Sequence, residues 1–267
     1  METHTQISPL AFVDPSAQIG EGTVVQPFAY IDKNVIIGEN CVIMAHSTIL
    51  EGVEIGNDNL IYQNAVIGST PQSFRYQKGH LTHVRIGNKN RIRENVVIAG
   101  SLDENTATTI GDDNFLMDGV HVCHDVKIGN HCVIGIHSQI AGECEISDYS
   151  ILSGSVILQH LAKVGVYSLI QSGCRVHYDV PPYIIAGGNP TTYRGVNVDV
   201  LKKYDNLDDR ILRHITNTYR LIYMSDTSLE DVLHQIYDQI PRSEEIEQIV
   251  DFIKQSRLGI IRRQKDS

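Results

Sequence analysis

The chain has 267 residues, 42% of them hydrophobic and 20% charged, which is the composition of an ordinary globular protein with a sizeable core. Its net charge of −10 argues against a nucleic-acid partner, because binding to nucleic acid depends on positive charge. No apolar run approaches the roughly 20 residues that span a bilayer, and no signal peptide is evident at the start. We therefore expect a cytoplasmic protein with no membrane span.

An aliphatic residue returns at every sixth position along most of the chain. The series comprises Val13, Ile19, Val25, Ile31, Ile37, Ile43, Ile49, Ile55, Ile61 and Ile67, and later Ile110, Leu116, Val122, Ile128, Ile134, Ile140, Ile146, Leu152, Leu158, Val164, Ile170 and Val176. Neither the 3.6-residue period of a helix nor the two-residue period of a strand explains this spacing. A period of six is typical of a hexapeptide solenoid, in which three short strands and their turns form one coil. We predict a mainly β solenoid over residues 1–190, with coils stacked about 4.8 Å apart.

The register of the repeat breaks twice, at residues 69–85 and again at residues 99–109. Insertions into a solenoid become loops on one edge, and such loops often form the binding face. Two loops are therefore predicted beside the functional site, although idle insertions remain the alternative.

Four of the five cysteines share one place in the repeat, four positions after the aliphatic residue. They are Cys41, Cys132, Cys144 and Cys174. Other occupants of this place are mostly small residues such as alanine and serine, and the chain has no C-x-x-C pair. We interpret these cysteines as small packing residues rather than as disulfide partners or metal ligands.

Residues 191–267 change period and are predicted to form a helical domain of about three helices. The apolar residues at helical spacing are Ile211, Leu212, Ile215, Tyr219 and Ile222, then Leu229, Val232, Leu233 and Ile236, then Ile246, Ile249, Val250 and Ile253. Thr227 and Glu230 have the spacing of a capping box. We expect this domain to cover the end of the solenoid, whose last coil would otherwise expose a sheet edge. The tail also holds 12 of the 22 Lys and Arg residues.

The chemistry is predicted to lie at His124, which Asp125 directly follows. In a solenoid of three hexads per coil, residues 18 apart lie one above the other. His124 then shares a column with Gly142 and His160, and Asp125 shares the next column with Glu143. A carboxylate beside an imidazole can fix its tautomer and raise its basicity. His124 is thus the candidate general base, and the backbone of Gly142 is the candidate oxyanion donor.

His121 and His124 are three residues apart, as zinc ligands can be, but no third ligand can be assembled from the sequence. We therefore predict no metal site. No serine or cysteine is placed as an obvious nucleophile, which favours direct attack by a bound acceptor over a covalent intermediate. His131, His137 and His177 are interpreted as solvated surface residues.

An ordered set of motifs from about Pro9 to Ile261 resembles the UDP-N-acetylglucosamine O-acyltransferases of lipid A biosynthesis, in the form found in Bacteroides-type bacteria. The motifs are Ile61-Tyr62-Gln63, Pro71-Gln72-x-x-Arg75-Tyr76, the stretch 90–96, His121-Val-Cys-His124-Asp125, the stretch 179–187, Gly195-Val196-Asn197 and Tyr219-Arg-Leu-Ile-Tyr223. The hexad alone is shared by many acyl- and acetyltransferases. The order of the motifs, with both loops and the helical tail, is more specific.

The resemblance implies a left-handed parallel β-helix that trimerises, with active sites between subunits and no bound cofactor. It implies transfer of an (R)-3-hydroxyacyl chain from the phosphopantetheine of acyl carrier protein to the 3-hydroxyl of UDP-N-acetylglucosamine. By position, His124 would be the base, Asp125 would orient it, and the Gly142 amide would be the oxyanion donor. The positions implied at the substrates are Gln72, Arg75, His121, Glu143, Gln159, His160, Ser172, Asn197 and Lys203. The basic residues of the tail would suit an acidic carrier protein.

Several residues depart from the family pattern. Ser73 replaces an aspartate, Ala99 and Glu143 replace histidines, Pro190 replaces a histidine of some members, and Gln159-His160 reverses the usual order. Ser172 stands where the family has a glycine that sets acyl-chain length. These changes leave open a different nucleotide-sugar acceptor, a CoA-linked donor, or a paralogue that binds without catalysis.

Overall fold

The computed structural model describes residues 5–204, 208–225 and 227–263. Strands of two to five residues follow one another from residue 6 to residue 196. They are β1 (Gln6–Ile7), β2 (Phe12–Val13), β3 (Gln18–Ile19), β4 (Val24–Val25), β5 (Tyr30–Ile31), β6 (Ile36–Ile37), β7 (Val42–Ile43), β8 (Thr48–Ile49), β9 (Val53–Ile55), β10 (Leu60–Ile61), β11 (Val66–Ser69), β12 (Val84–Ile86), β13 (Arg91–Ile92), β14 (Val97–Ala99), β15 (Thr108–Ile110), β16 (Phe115–Leu116), β17 (His121–Val122), β18 (Lys127–Ile128), β19 (Val133–Ile134), β20 (Gln139–Ile140), β21 (Glu145–Ile146), β22 (Ile151–Leu152), β23 (Ile157–Leu158), β24 (Lys163–Val164), β25 (Leu169–Ile170), β26 (Arg175–Val176), β27 (Ile184–Gly187) and β28 (Thr192–Val196).

Strands β1 to β23 each pair with the strand three places further along the chain, which makes three parallel sheets. Sheet A runs from β1 through β4 and β7 to β25, β27 and β28; sheet B runs from β2 to β26; and sheet C runs from β3 to β24. Within the regular coils, partners are separated by three hexads, as in the pairs His121 with Gln139 and Gln139 with Ile157. The final pair, β27 with β28, is antiparallel. The predicted mainly β parallel solenoid is confirmed.

The periodic aliphatic residues fill the interior of the prism. From Val25 to Val176 they are almost completely buried, and Val122 and Ile134 expose none of their surface. The neighbouring residue in each strand points outward, because side chains alternate along a strand. Cys41, Cys132, Cys144 and Cys174 are buried and free, which confirms that they are packing residues. Burial also raises the pKa of Cys132 to about 12.

The corners of the prism contain a second six-residue period, which the sequence analysis missed. One residue in most turns has a positive φ, and asparagine or aspartate fills several of these places, for example Asn34, Asn40 and Asn64. Asparagine and aspartate tolerate this left-handed conformation better than most side chains. Asp125 and Glu143 occupy the same place, with φ of 57° and 59°. The conformation of these turns therefore fixes where both carboxylates lie.

We name the corners by the sheets they join. The BC corner carries Asp125 and Glu143, between sheets B and C; the CA corner carries His131, Tyr149 and Tyr167; and the AB corner carries His137 and Gly173. At the CA corner, the rings of His131, Tyr149, Tyr167 and Tyr183 stack in a column.

Both predicted loops are present. Leu60 pairs with Arg91 and Val97 pairs with His121, so in both pairs the partner lies further along the chain than the usual three hexads. The extra residues lie between β11 and β12 and between β14 and β15. We call these insertions the first loop, residues 70–83, and the second loop, residues 100–107.

In the described part of the tail, four helices follow β28: α1 (Val198–Tyr204), α2 (Asp209–Met224), α3 (Leu229–Gln239) and α4 (Glu244–Gln255). Helix α1 was not predicted. The cap of α3 lies one residue later than predicted: Ser228, rather than Thr227, accepts the backbone N–H of Asp231, and its hydroxyl donates to the Asp231 carboxylate. No helix of the described residues is long and apolar enough to cross a membrane.

The tail packs on the last coils of the solenoid. Strand β27 covers the edge of β25, and the Tyr219 hydroxyl of α2 donates to the Pro182 carbonyl at 2.5 Å. The Ser256 hydroxyl, just after α4, donates to the Asp179 carboxylate at 2.6 Å. At this end sheet A is covered by β27 and then by β28 rather than by a helix, so the covering of a sheet edge by the helices of the tail stays a prediction. The predicted domain division at residue 190 falls between the paired strands β27 and β28 and stays a prediction.

Candidate active site

His124 and Asp125 form a hydrogen-bonded pair at the BC corner. His124 Nδ1 lies 3.0 Å from Asp125 Oδ2, and the imidazole side chain is only 9% exposed. An ionised carboxylate only accepts hydrogen bonds, so Nδ1 carries the proton and donates it. The Nε2 atom of the neutral ring then has a free lone pair. The pair can therefore present one fixed proton acceptor to a bound molecule.

The ring of His124 lies against the backbone of Gly142, one coil further along. A Cβ atom at position 142 would come within 2.5 Å of His124 Nε2, so a side chain there would displace the ring. His160, in the next coil, donates from Nδ1 to the Gly142 carbonyl at 2.7 Å. Among the described residues, the Gly142 N–H has no acceptor. The predicted column of His124, Gly142 and His160 is confirmed, and it sets an unused N–H donor beside a proton acceptor.

The second loop holds the carboxylate of Asp125. The Leu102 N–H donates to Oδ2 at 3.1 Å, and the Thr106 hydroxyl donates to Oδ1 at 2.7 Å. The Asp125 N–H donates to the Thr108 hydroxyl at 2.9 Å. The sequence analysis did not find these residues, because the second loop has no periodicity from which to place them. The insertion is a support for the His124–Asp125 pair.

Thr106→Val is expected to lower kcat by about fivefold while KM changes little, because one hydrogen bond worth about 1 kcal/mol no longer holds Asp125 in place. Steady-state kinetics would measure this. The matched control is Thr48→Val, which changes a threonine on the outward side of β8, away from the cavity beside Asp125. An unchanged kcat in Thr106→Val would show that the second loop does not support the pair.

The first loop reaches the same corner through Arg75. Arg75 Nη2 lies 2.5 Å from Glu143 Oε1, and the two side chains are 59% and 34% exposed. His160 Nε2 lies 3.8 Å from the same carboxylate oxygen. Arg75, Glu143 and His160, all predicted near the substrates, are therefore brought together beside His124. Gln72 lies exposed on the first loop.

A cavity of about 600 Å³ opens beside these residues. Such a volume is in the usual range for small-molecule sites. Its lining is rich in charge and includes Arg75, Arg85, Asp103, Asp125, Lys127, Glu143, Glu145, Lys163 and Arg257. A molecule carrying both hydroxyls and negative charge would find donors and acceptors on its walls.

His121 and Gln159 flank the column on the side of sheet B. Burial lowers the pKa of His121, so its ring is neutral near pH 7 and can both donate and accept. The Nε2 atom of His121 lies 3.9 Å from Cys123 Sγ. Burial raises the pKa of the Cys123 thiol, which keeps it protonated and a poor nucleophile. The Gln159 side chain accepts from His177 Nδ1 at 2.7 Å, so His177 has a partner.

Three predicted substrate residues lie away from the BC corner of the same chain. The Asn197 side chain is buried and donates to the Tyr167 carbonyl at 2.9 Å, at the CA corner. Lys203 follows on α1, and Ser172 is exposed in the turn between β25 and β26, at the AB corner. One copy of the chain thus distributes the predicted residues over all three corners.

The described residues contain no cluster of three or more His, Cys, Asp or Glu side chains that could hold a metal ion. His121 and His124, the pair with zinc-like spacing, instead contact Cys123 and Asp125.

Comparison with known proteins places this arrangement in a family. Residues 179–261 match the model of domain 2 of UDP-N-acetylglucosamine O-acyltransferase, and residues 107–142 match the bacterial transferase hexapeptide repeat. The acyl-(acyl-carrier-protein)–UDP-N-acetylglucosamine O-acyltransferase of Burkholderia lata is 39% identical over 262 residues, which cover 97% of this chain and 100% of the relative. The chain belongs to this O-acyltransferase family.

Solved structures of the family share the fold. The UDP-N-acetylglucosamine acyltransferase LpxA of Bacteroides fragilis superposes with a TM-score of 0.94 at 45% identity, covering 96% of this chain and 100% of its own. The enzyme of Francisella novicida has a TM-score of 0.94 at 33% identity, covering 97% and 95% of the two chains. The predicted fold class and the resemblance to a Bacteroides-type O-acyltransferase are confirmed.

Proposed function

We propose that this chain transfers an (R)-3-hydroxyacyl group from acyl carrier protein to the 3-hydroxyl of UDP-N-acetylglucosamine, the first step of lipid A biosynthesis. Family membership supports the reaction class. The observation that best supports this chemistry is the His124–Asp125 pair, because the free Nε2 atom of His124 lies over the backbone of Gly142. The acyl donor is carried on the phosphopantetheine of the carrier, and the protein itself needs no bound cofactor.

His124 acts as the general base in the first step. Its Nε2 takes the proton of the sugar 3-hydroxyl while the oxygen attacks the thioester carbonyl carbon. Asp125 holds the ring in the required tautomer through Nδ1 and stabilises the imidazolium that forms. The carbonyl oxygen becomes an oxyanion, and the N–H of Gly142 donates to it.

Collapse of the tetrahedral intermediate completes the transfer. The carbon–sulfur bond breaks, and the thiolate of the phosphopantetheine leaves with the proton that His124 had taken. The products are the 3-O-acyl sugar nucleotide and a free carrier thiol. The raised pKa of Cys123 and the absence of another activated nucleophile among the described cavity residues support direct transfer without an acyl-enzyme.

We assign the residues that contact substrates by where they lie relative to the His124–Asp125 pair. Arg75, Glu143 and Gln72 face the sugar nucleotide from the first loop and the BC corner. His121, Gln159 and His160 lie on the path of the acyl donor, along the column that contains Gly142. Ser172 limits the length of the acyl chain, and Asn197 with Lys203 binds the uridine end.

We propose that the active unit is a homotrimer, because the assigned residues lie on three corners of one chain. Neighbouring copies would bring the CA corner of one chain, with Asn197 and Lys203, to the BC corner of the next, with His124. The outward faces support this. Sheet A presents mostly partly exposed apolar side chains, with Arg91 as an exception: Val24, Val42, Leu60, Phe115, Val133, Ile151 and Leu169. Sheet C presents mostly charged ones, with exceptions such as Ile36 and Thr109: Glu54, Arg85, Lys127, Glu145 and Lys163. Contiguous apolar patches on a surface mark interfaces.

The carrier protein is proposed to dock on the tail, in the cytoplasm. Arg213 and Arg220 are exposed on α2, and their spacing of seven residues puts them on one face of the helix. Acyl carrier proteins are acidic, so a local basic face favours encounter even though the net charge is −10. No nucleic-acid partner is proposed.

Replacing Arg213 and Arg220 together with glutamate is expected to raise the KM for acyl carrier protein by about tenfold or more, because like charges now face each other. The KM for an acyl-pantetheine, which lacks the protein part of the carrier, should stay the same. Reversing Lys33 and Lys89, both on solenoid turns, is the matched control. An equal rise in the KM for acyl carrier protein and in the KM for acyl-pantetheine would contradict docking on α2.

The proposed function is tested by incubating the purified protein with UDP-N-acetylglucosamine and 3-hydroxyacyl carrier proteins of several chain lengths, and following products by mass spectrometry. An acylated UDP-sugar with one preferred chain length is expected. Product only with another nucleotide sugar would assign a different acceptor. Binding of UDP-N-acetylglucosamine with no product from any donor would identify a paralogue without catalysis.

A further inference from the structure

The ion pair of Arg75 and Glu143 fastens the first loop to the solenoid. The two residues are 68 positions apart, and Glu143 directly follows Gly142, which His124 covers. The other hydrogen bonds of residues 71–80 stay within that segment, such as Arg75 N–H to the Ser73 hydroxyl. Arg75 is therefore the hydrogen-bonded link between residues 71–80 and the BC corner, while Leu81 and His83, further along the loop, bond to the second loop.

The Arg75–Glu143 ion pair is weak enough for the guanidinium to exchange the carboxylate for another anion. Both side chains are partly exposed, and exposed ion pairs contribute little to stability. A diphosphate offers a guanidinium several oxygens and more than one negative charge, and such charge-assisted, bidentate contacts are stronger.

The surroundings give Glu143 a second partner. His160 Nε2 lies 3.8 Å from the same Glu143 oxygen that contacts Arg75, and the other His160 nitrogen is fixed on the Gly142 carbonyl. Because Nδ1 donates its proton to that carbonyl, Nε2 can donate to the carboxylate only when the ring is protonated. In that form His160 would accompany the Glu143 carboxylate when the guanidinium leaves it.

We propose that Glu143 is a positioning residue that holds Arg75, and with it the first loop, against the BC corner before substrate arrives. The diphosphate of the nucleotide sugar then binds the Arg75 guanidinium in place of the Glu143 carboxylate. Glu143 thus competes with the substrate for one guanidinium, rather than binding the sugar itself. This inference rests on the proposed function, because it takes the UDP-sugar as the ligand of this corner.

The test measures the Kd of UDP-N-acetylglucosamine by calorimetry for the full-length protein, Glu143→Gln, Arg75→Gln and the double variant. Since the competing pair is weak, Glu143→Gln is expected to tighten binding by about two- to fivefold, which corresponds to about 0.4–1 kcal/mol. In the Arg75→Gln background the same change should have no such effect. The KM for the UDP-sugar should fall together with the Kd.

Glu145→Gln is the matched control, because it removes the same charge from the same cavity but from a carboxylate paired with Lys163 at 3.0 Å. Its effect on the Kd should be smaller and independent of Arg75. Weaker binding of the UDP-sugar in Glu143→Gln would overturn the inference, and so would tighter binding that persists in the Arg75→Gln background. The proposed function would stand in either case if the wild-type protein transferred the acyl chain. A wild-type protein that neither binds nor acylates the UDP-sugar would overturn both.

Discussion

Replacing His124 with alanine is expected to lower kcat by about 10³-fold, because general acid–base catalysis by a positioned side chain contributes about 10²–10⁴-fold. In the proposed mechanism the His124 ring is the proton acceptor over Gly142, whereas the second imidazole at this backbone, His160, is held by its Nδ1 on the Gly142 carbonyl. His124 belongs to a turn rather than to the packed interior, so the fold should survive. Steady-state rates and circular dichroism on the same preparation would measure both effects.

His131→Ala is the matched control for this experiment. His131 also lies at a corner, and its Nδ1 is also 3.0 Å from a carboxylate, that of Asp113. It lies at the CA corner, however, two coils away from Tyr167 and Asn197, and it is not among the residues proposed to contact a substrate. Activity within about twofold of wild type is expected there. If His124→Ala kept activity within a few fold, the base would be misassigned.

Val122→Asp is expected to prevent folding. The side chain of Val122 exposes none of its surface and points into the prism between Ile98 and Ile140 of the neighbouring coils. A carboxylate there would be either ionised without a partner or protonated without hydrogen bonds, and both states cost several kcal/mol. Loss of soluble protein, or of a cooperative thermal transition followed by circular dichroism, would be the readout.

Two control substitutions distinguish the effect of a buried charge from the effect of other substitutions in the neighbouring coil. Ile140→Val removes one buried methyl group and should cost about 1 kcal/mol of unfolding free energy. Gln139→Asp adds a carboxylate on the exposed, outward side of the same strand and should change stability by less than about 0.5 kcal/mol. A Val122→Asp protein as stable as Gln139→Asp would show that position 122 does not face the interior.

The fold could be predicted because the repeat is local and unbroken over many coils. The aliphatic residues from Ile110 to Val176 fix the period, and the period fixes which residues stack. The column of His124, Gly142 and His160 followed from it directly. The His124–Asp125 contact was also predictable, since the residues are neighbours and the turn conformation at Asp125 is common to the corner.

The contacts made by the loops could not be predicted from the period. Leu102 and Thr106 reach Asp125 from an insertion with no repeat, and Arg75 meets Glu143 across 68 positions. The cap of α3 was assigned one residue early, because Thr227 and Ser228 are both good capping residues and the sequence pattern suited either. Helix α1 was missed because it is short and begins beside the buried Asn197.

The central claim is that this site puts the acyl chain on the 3-oxygen of UDP-N-acetylglucosamine. The most direct measurement is tandem mass spectrometry of the product formed from UDP-N-acetylglucosamine and a 3-hydroxyacyl carrier protein, with fragmentation that locates the acyl group. We expect an ester at the sugar 3-oxygen in the wild-type reaction and almost none with His124→Ala. An acyl group at another position, or equal product from both proteins, would contradict it.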